Sequence, residues 1–192
     1  MTARTALSRA HILDSASELV AEGGLANASM RKLAARLGVT PMAIYRHFDN
    51  ADALNAAMFD SFIREASVLP ARPGDWQTWL LHVSENMYAA LAASPHWLSL
   101  VGKVRLGSAA FEVLEACIEV FDADGFSRTD AVRAFFLMIQ SVMGAVYLNY
   151  SITGEAPRED SAKAVLMLGE LDALAQQDLL RQQIHNMIQS FQ

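Results

Sequence analysis

A hydroxyl, a thioether, a phenol, a guanidinium and an imidazole fall close together at Thr40, Met42, Tyr45, Arg46 and His47, with Pro41 and Ala43 between them. Guanidinium and hydroxyl groups donate hydrogen bonds to phosphate oxygens and to base edges, and small apolar groups suit the thymine methyl. Held on one outward face, this set has the chemistry of a major-groove reader. Arg31, ten residues upstream of Pro41, adds a second guanidinium suited to a phosphate.

That chemistry needs a rigid carrier, and the flanking residues supply one. Leu33, Ala34 and Leu37 recur at helical spacing and define an inward face. Gly38 can adopt the left-handed conformation that stops a helix. Thr40 is placed to cap the next helix, and Pro41 fits its first turn, where no intrahelical N–H is lost. Ile44 and Phe48, four apart, would anchor that second helix to the first. Two short helices, a tight turn and an outward polar set predict helix-turn-helix geometry and a double-stranded DNA partner. The competing reading is a helical hairpin that only packs, inside an all-helical enzyme or a protein-interaction module.

The segment from His11 to Met58 resembles the DNA-binding domain of TetR-family transcriptional regulators. The likeness rests on Ile12, Ala16 and Leu19, the exit at Glu22-Gly23-Gly24, Met30-Arg31-Lys32-Leu33-Ala34, Leu37-Gly38-Val39-Thr40, Tyr45-Arg46-His47-Phe48, and then Asn50 and Leu54. The family commonly has a lysine after the residue matching Asn50, where it meets phosphate. This chain has Ala51 there and an added negative charge at Asp49, which predicts weaker or differently shaped DNA binding. The resemblance implies a repressor, a ligand pocket in the second domain, and late helices at about 127–153 and 163–190 that pair two subunits.

Composition agrees with a folded, helical chain. Of 192 residues, 53% are hydrophobic and 19% charged, enough for a sizeable core. The single cysteine, Cys117, rules out an internal disulfide and fits a reducing cytoplasm; no signal-peptide pattern opens the chain. Net charge is −6, which on its face argues against nucleic acid. Its distribution reverses that argument. Residues 1–48 hold six basic and three acidic groups, a net +3, whereas the remainder holds nine and eighteen, a net −9. The positive part is the part with the helix-turn-helix.

Helical patterns fill the rest. A helix from about 8 to 22 precedes the pair around Gly38, and one from Asn50 to about Val68 follows it. Pro70, Arg72, Pro73 and Gly74 mark a boundary. Beyond it come a helix at 75–93, a short one from Pro95 to Leu100, and one after Gly107 with Phe111, Leu114, Ile118 and Phe121 inward. Ser127 and Asp130 have capping-box spacing and open a long apolar helix, and a final helix carries Leu180, Ile184, Met187, Ile188 and Phe191. The fold class expected is all-α. A three-helix DNA-binding domain at 1–50 is linked by the helix at 50–68 to a larger ligand-binding and dimerisation domain at 69–192.

The residues between Arg133 and Glu155 carry no charge and are nominally long enough to cross a bilayer. Gln140, Ser141, Asn149 and Ser151 argue instead for a core helix or an oligomer interface, so no membrane partner is expected. Apolar walls with sparse polar groups suit a small-molecule effector. His82, Asn86, Trp97, Phe111, Phe135, Gln140, Met143 and Tyr147 are its candidate contacts. No catalytic set, cofactor motif or metal-ligand spacing is present: the five histidines are scattered, and Cys117 between Leu114 and Ile118 reads as a buried thiol. An enzyme is therefore not expected. A homodimer is, because one helix-turn-helix buries too little surface for specific binding, whereas two read a near-palindrome.

Overall fold

In a computed structural model the chain is helical throughout its described residues, which are 7–70, 74–101, 103–153, 166–167, 169–171, 173 and 178–191. The helices are α1 (Arg9–Gly23), α2 (Met30–Leu37), α3 (Pro41–Tyr45), α4 (Ala51–Glu65), α5 (Trp76–Ala93), α6 (Ser108–Ala123), α7 (Arg128–Thr153) and α8 (Leu179–Gln189). Short 3-10 turns cover Leu25–Asn27 and Pro95–Leu100. The expected polar loop from Gly154 to Ser161, and most of the span 163–178, lie outside the described residues.

Two compact units emerge, and neither is one continuous segment. The first comprises residues 1–65 and 96–111, the second 66–95 and 112–192. Sequence reading divides the chain once, near residue 69; in space, residues 96–111 join the amino-terminal helices instead. α4 also ends at Glu65 rather than near Val68, because Ser67 turns into the left-handed region at φ 47°.

The first unit is built on α1. The Ser8 hydroxyl accepts from the His11 N–H at 3.2 Å and starts the helix. Ile12, Ala16, Leu19 and Val20 then form its buried stripe. Leu33, Ile44, Phe48, Leu54 and Met58 are buried with them. A second cluster joins α4 to the returning segment: Trp97 is buried and stacks on Phe62, ring centres 5.1 Å apart, with Phe59 at 6.3 Å. Asp60 of α4 caps α6, accepting from the Ala109 N–H at 2.7 Å and from the Ser108 hydroxyl at 3.1 Å. Gly107 is required beside it, since a Cβ there would lie 2.2 Å from Asp60 Oδ1.

In the second unit α5, α7 and α8 pack on one another. Asp75 caps α5, accepting from the Thr78 N–H at 2.8 Å and from its hydroxyl at 3.1 Å; these bonds hold its carboxyl below the usual range. Ser127 and Asp130 make half of the expected capping box on α7: the Asp130 N–H donates to the Ser127 hydroxyl, and the Asp130 carboxylate accepts at 2.6 Å from that hydroxyl in place of a backbone N–H. Trp76, Phe121, Phe126 and Phe191 make an aromatic cluster with centres 4.9 to 6.1 Å apart. Cys117 is buried, its thiol donating to the Ala131 carbonyl at 3.5 Å, and burial pushes its pKa up to about 12.

One expectation about a helix face needs correction. On α6 the buried residues are Ala109, Ala110, Val113, Cys117, Val120 and Phe121, while Leu114 and Ile118 are half-buried and Phe111 is 56% exposed. Of the expected inward set only Phe121 is fully buried, and the helix is turned from the face that the other three suggested. On α7, Ala131, Ala134, Phe135, Met138, Val142 and Val146 are buried, and Phe136, Tyr147, Leu148 and Tyr150 stand exposed on the other side. α7 is long and apolar enough to cross a membrane by length and composition, yet this inner face is engaged within the unit.

Because Trp97 fills the aromatic cluster of the first unit, Trp97→Ala should lower stability by about 3–5 kcal/mol, the usual cost of emptying a buried aromatic site. Chemical denaturation followed by circular dichroism measures this. A loss below ~1 kcal/mol would mean that the residue 96–111 segment does not support the amino-terminal helices.

Candidate nucleic-acid interface

α2 begins at Ser29, whose hydroxyl accepts from the Lys32 N–H at 3.4 Å. It ends at Gly38, left-handed at φ 64° and ψ 32°, with the Val39 N–H returning to the Ala34 carbonyl at 3.0 Å. Thr40 occupies the capping position of α3 with extended backbone, but its hydroxyl makes no capping bond. The expected cap is positional only: Pro41 already presets the first turn, and the Thr40 carbonyl accepts from the Ala43 N–H at 2.9 Å. The hydroxyl stays on the exposed surface.

α3 has five residues, too few to hold a helix alone. Ile44 and Phe48, both essentially fully buried, fix its inner side. Its outer side presents Pro41, Met42 at 70% exposure, Tyr45 and Arg46, with Ala43 and His47 half-buried. Arg31 on α2 is exposed too, and neither Arg31 nor Arg46 pairs with a carboxylate among the described residues.

One contributor has no signal in the local sequence. Arg9, at the start of α1, donates to the His47 carbonyl at 2.7 Å and lies over the Phe48 ring, 4.1 Å from its centre. A charge-assisted bond and a cation–π contact thus hold the exit of α3, although 38 residues separate the partners. Arg36 does comparable work between α2 and α1, reaching Glu18 and Glu22 each at 2.8 Å. Its hydrogen bonds to Glu22 and Glu18 raise its pKa. At the entry to α4 the Asn50 side chain accepts from the Ala53 N–H at 2.8 Å, so Ala51 stands exposed where the resemblance would place a lysine.

The eight candidate effector contacts divide between the units. Trp97 and Phe111 fall in the first, Trp97 inside its aromatic cluster and Phe111 at its surface. The other six fall in the second. Phe135 is buried, Met143 half-buried, and His82, Gln140 and Tyr147 are exposed; Asn86 donates to the Val68 carbonyl at 3.1 Å. Trp97 and Phe111 thus fall in the first unit, not in the second domain where chain order places them.

Residues 12–58 match the family described as bacterial regulatory proteins, tetR family, and residues 69–187 match the tetracyclin repressor-like C-terminal domain. The chain belongs to the TetR family. Among relatives of this TetR-family protein, the Escherichia coli tetracycline repressor protein class A from transposon 1721 is 31% identical over 137 residues, 70% of this chain and 63% of that protein. The class G repressor of Vibrio anguillarum is 30% identical over 144 residues, 74% of this chain and 69% of that one. The match to the class A protein thus spans less than two thirds of its length. Among solved structures, TetR from Acinetobacter baumannii superposes with a TM-score of 0.72 at 26% identity, covering 95% of this chain and 97% of its own.

Since Arg9 touches the α3 exit through its own bond rather than through phosphate, its loss should act on the positioning of α3. Arg9→Ala should weaken DNA binding about tenfold, the scale of one charge-assisted hydrogen bond, and leave the salt slope of binding unchanged. Fluorescence anisotropy across a salt series reads both quantities. A shallower slope would make Arg9 a phosphate contact instead.

Proposed function

We propose that this TetR-family chain is a transcriptional repressor that reads a near-palindromic operator as a homodimer and releases it on binding a small apolar effector. The observation that carries the reading is α3 itself: a helix sunk on one side by Ile44 and Phe48, with Met42, Tyr45 and Arg46 exposed on the other. In this reading Tyr45 and Arg46 meet phosphates or bases. Thr40, Pro41, Met42 and Ala43 lie along the base edges, Arg31 holds a phosphate from α2, and His47 assists.

The exposed side of α7 supports the homodimer. Phe136, Tyr147 and Tyr150 share a face opposite the one engaged with α5 and α8, with Gln140 and Gly144 between them. A second copy would cover that face and remove it from water. We place the effector in the second unit, where Phe135, Met143 and Asn86 remain candidate contacts. A solved Acinetobacter baumannii TetR variant in complex with minocycline supports a pocket in this fold. The effector can release DNA only by binding the non-reading arrangement more tightly than the reading one. A solved structure of BioQ with its double-stranded DNA operator has the same fold. We assign the protein to the cytoplasm, where operator and effector meet.

Selection from random duplex DNA at about physiological salt tests the reading. The parent should enrich a near-palindrome and Arg46→Ala should not. Equal enrichment by both would remove α3 from the reading face, and none by the parent would overturn sequence-specific binding. Separately, Phe136→Glu combined with Tyr147→Asp should convert a dimer into a folded monomer in analytical ultracentrifugation. A dimer that persists would place the subunit contact elsewhere.

A further inference from the structure

Within the first unit α1, α4 and the segment before α6 line an open surface cavity of about 370 Å³, in the size range of small-ligand sites. Three guanidiniums line it: Arg9, Arg64 and Arg105. Asp60 is the only carboxylate among the lining residues, and both its oxygens are already engaged. Oδ1 accepts from the Ala109 N–H at 2.7 Å, and Oδ2 accepts from Ser108 at 3.1 Å and from Arg64 at 3.3 Å. The lining therefore carries a formal excess of positive charge.

The guanidiniums differ in commitment. Arg9 is bound to the His47 carbonyl and Arg64 to Ser108 and Asp60. Arg105 is exposed and has no partner among the described residues. A guanidinium offers five N–H donors in a planar fork that matches a carboxylate or phosphate, and among these three Arg105 is the one that keeps that fork uncommitted to the described residues. The rest of the wall is apolar. Ala53, Ala56 and Ala57 recur at helical spacing on α4, so their missing side chains open the depression, and Leu13 and Leu106 flank it.

We propose that this cavity binds a small organic oxyanion, a carboxylate or phosphate monoester whose short apolar body rests on the alanine floor while Arg105 holds the anionic group. The site lies wholly in the first unit, apart from the effector placed in the second. Its occupant bears on the same Arg9 that holds the exit of α3.

Isothermal titration of the full chain with phenyl phosphate, benzoate, inorganic phosphate and benzyl alcohol tests this without DNA, so its outcome does not depend on the operator reading. Phenyl phosphate or benzoate should bind saturably, one per chain, and benzyl alcohol should not. The better of the two anions shows which oxyanion the site takes. Arg105→Ala should weaken that binding about tenfold, as expected for losing one charge-assisted partner. Ala56→Leu, which fills the floor and leaves every charge in place, should weaken it as well, with circular dichroism melts verifying that both variants fold. The proposal is overturned if neither organic anion saturates, if benzyl alcohol binds equally well, or if either variant binds like the parent. Inorganic phosphate binding as tightly as phenyl phosphate would also overturn the apolar floor as part of the site.

Discussion

A five-residue helix has almost no stability of its own, because the first turn fixes three residues for a single hydrogen bond. The orientation of α3 is consequently borrowed from its surroundings. Ile44 and Phe48 are sunk in the core, Pro41 presets the entry, and Arg9 grips the exit through the His47 carbonyl and the Phe48 ring. Most of the first unit can be understood as the support for this arrangement. The buried stripe of α1 provides the wall, Gly38 permits the turn, and Asn50 restarts the chain immediately afterward.

Charge is organised around the same constraint. Glu18 and Glu22 would weaken a basic surface if left alone, but both turn to Arg36, which occupies one cation with two anions. Exposed pairs of this kind add little stability. Their effect here is on the field, since Arg31 and Arg46 keep their charge without a carboxylate partner among the described residues, while the surplus acidic residues lie beyond residue 48. With Ala51 where the resemblance would place a lysine, these two arginines are a larger share of the exposed positive charge around α2 and α3.

The features legible in the sequence are those whose cause is local. The left-handed Gly38, the placement of Pro41, the Asn50 cap and the Ser127–Asp130 box each depend on residues within a turn of one another, and each stands where the sequence places it. The face of α6 was not legible. Its sequence carries two interleaved apolar series that meet at Phe121, and the buried one otherwise uses alanine, valine and cysteine while Phe111 stays outside. Periodicity ranks both series alike, and side-chain size favours the wrong one. Arg9 was illegible for another reason: its partner is 38 residues away, and nothing in its neighbours announces a contact with the α3 exit. Chain order assigns Trp97 to the second domain, whereas its stacking partners Phe59 and Phe62 lie on α4.

That last contact bears on how such a protein can be recombined. The amino-terminal unit is not a bead that ends where α4 ends; it recovers residues 96–111 from further along the chain. A hybrid regulator spliced after Glu65 would inherit α3 intact yet leave Trp97 and the Gly107 notch behind, replaced by whatever the recipient carries there. Reading heads exchanged between relatives at the obvious junction would thus be transplanted without part of their foundation. For this architecture the natural unit of exchange is a pair of segments.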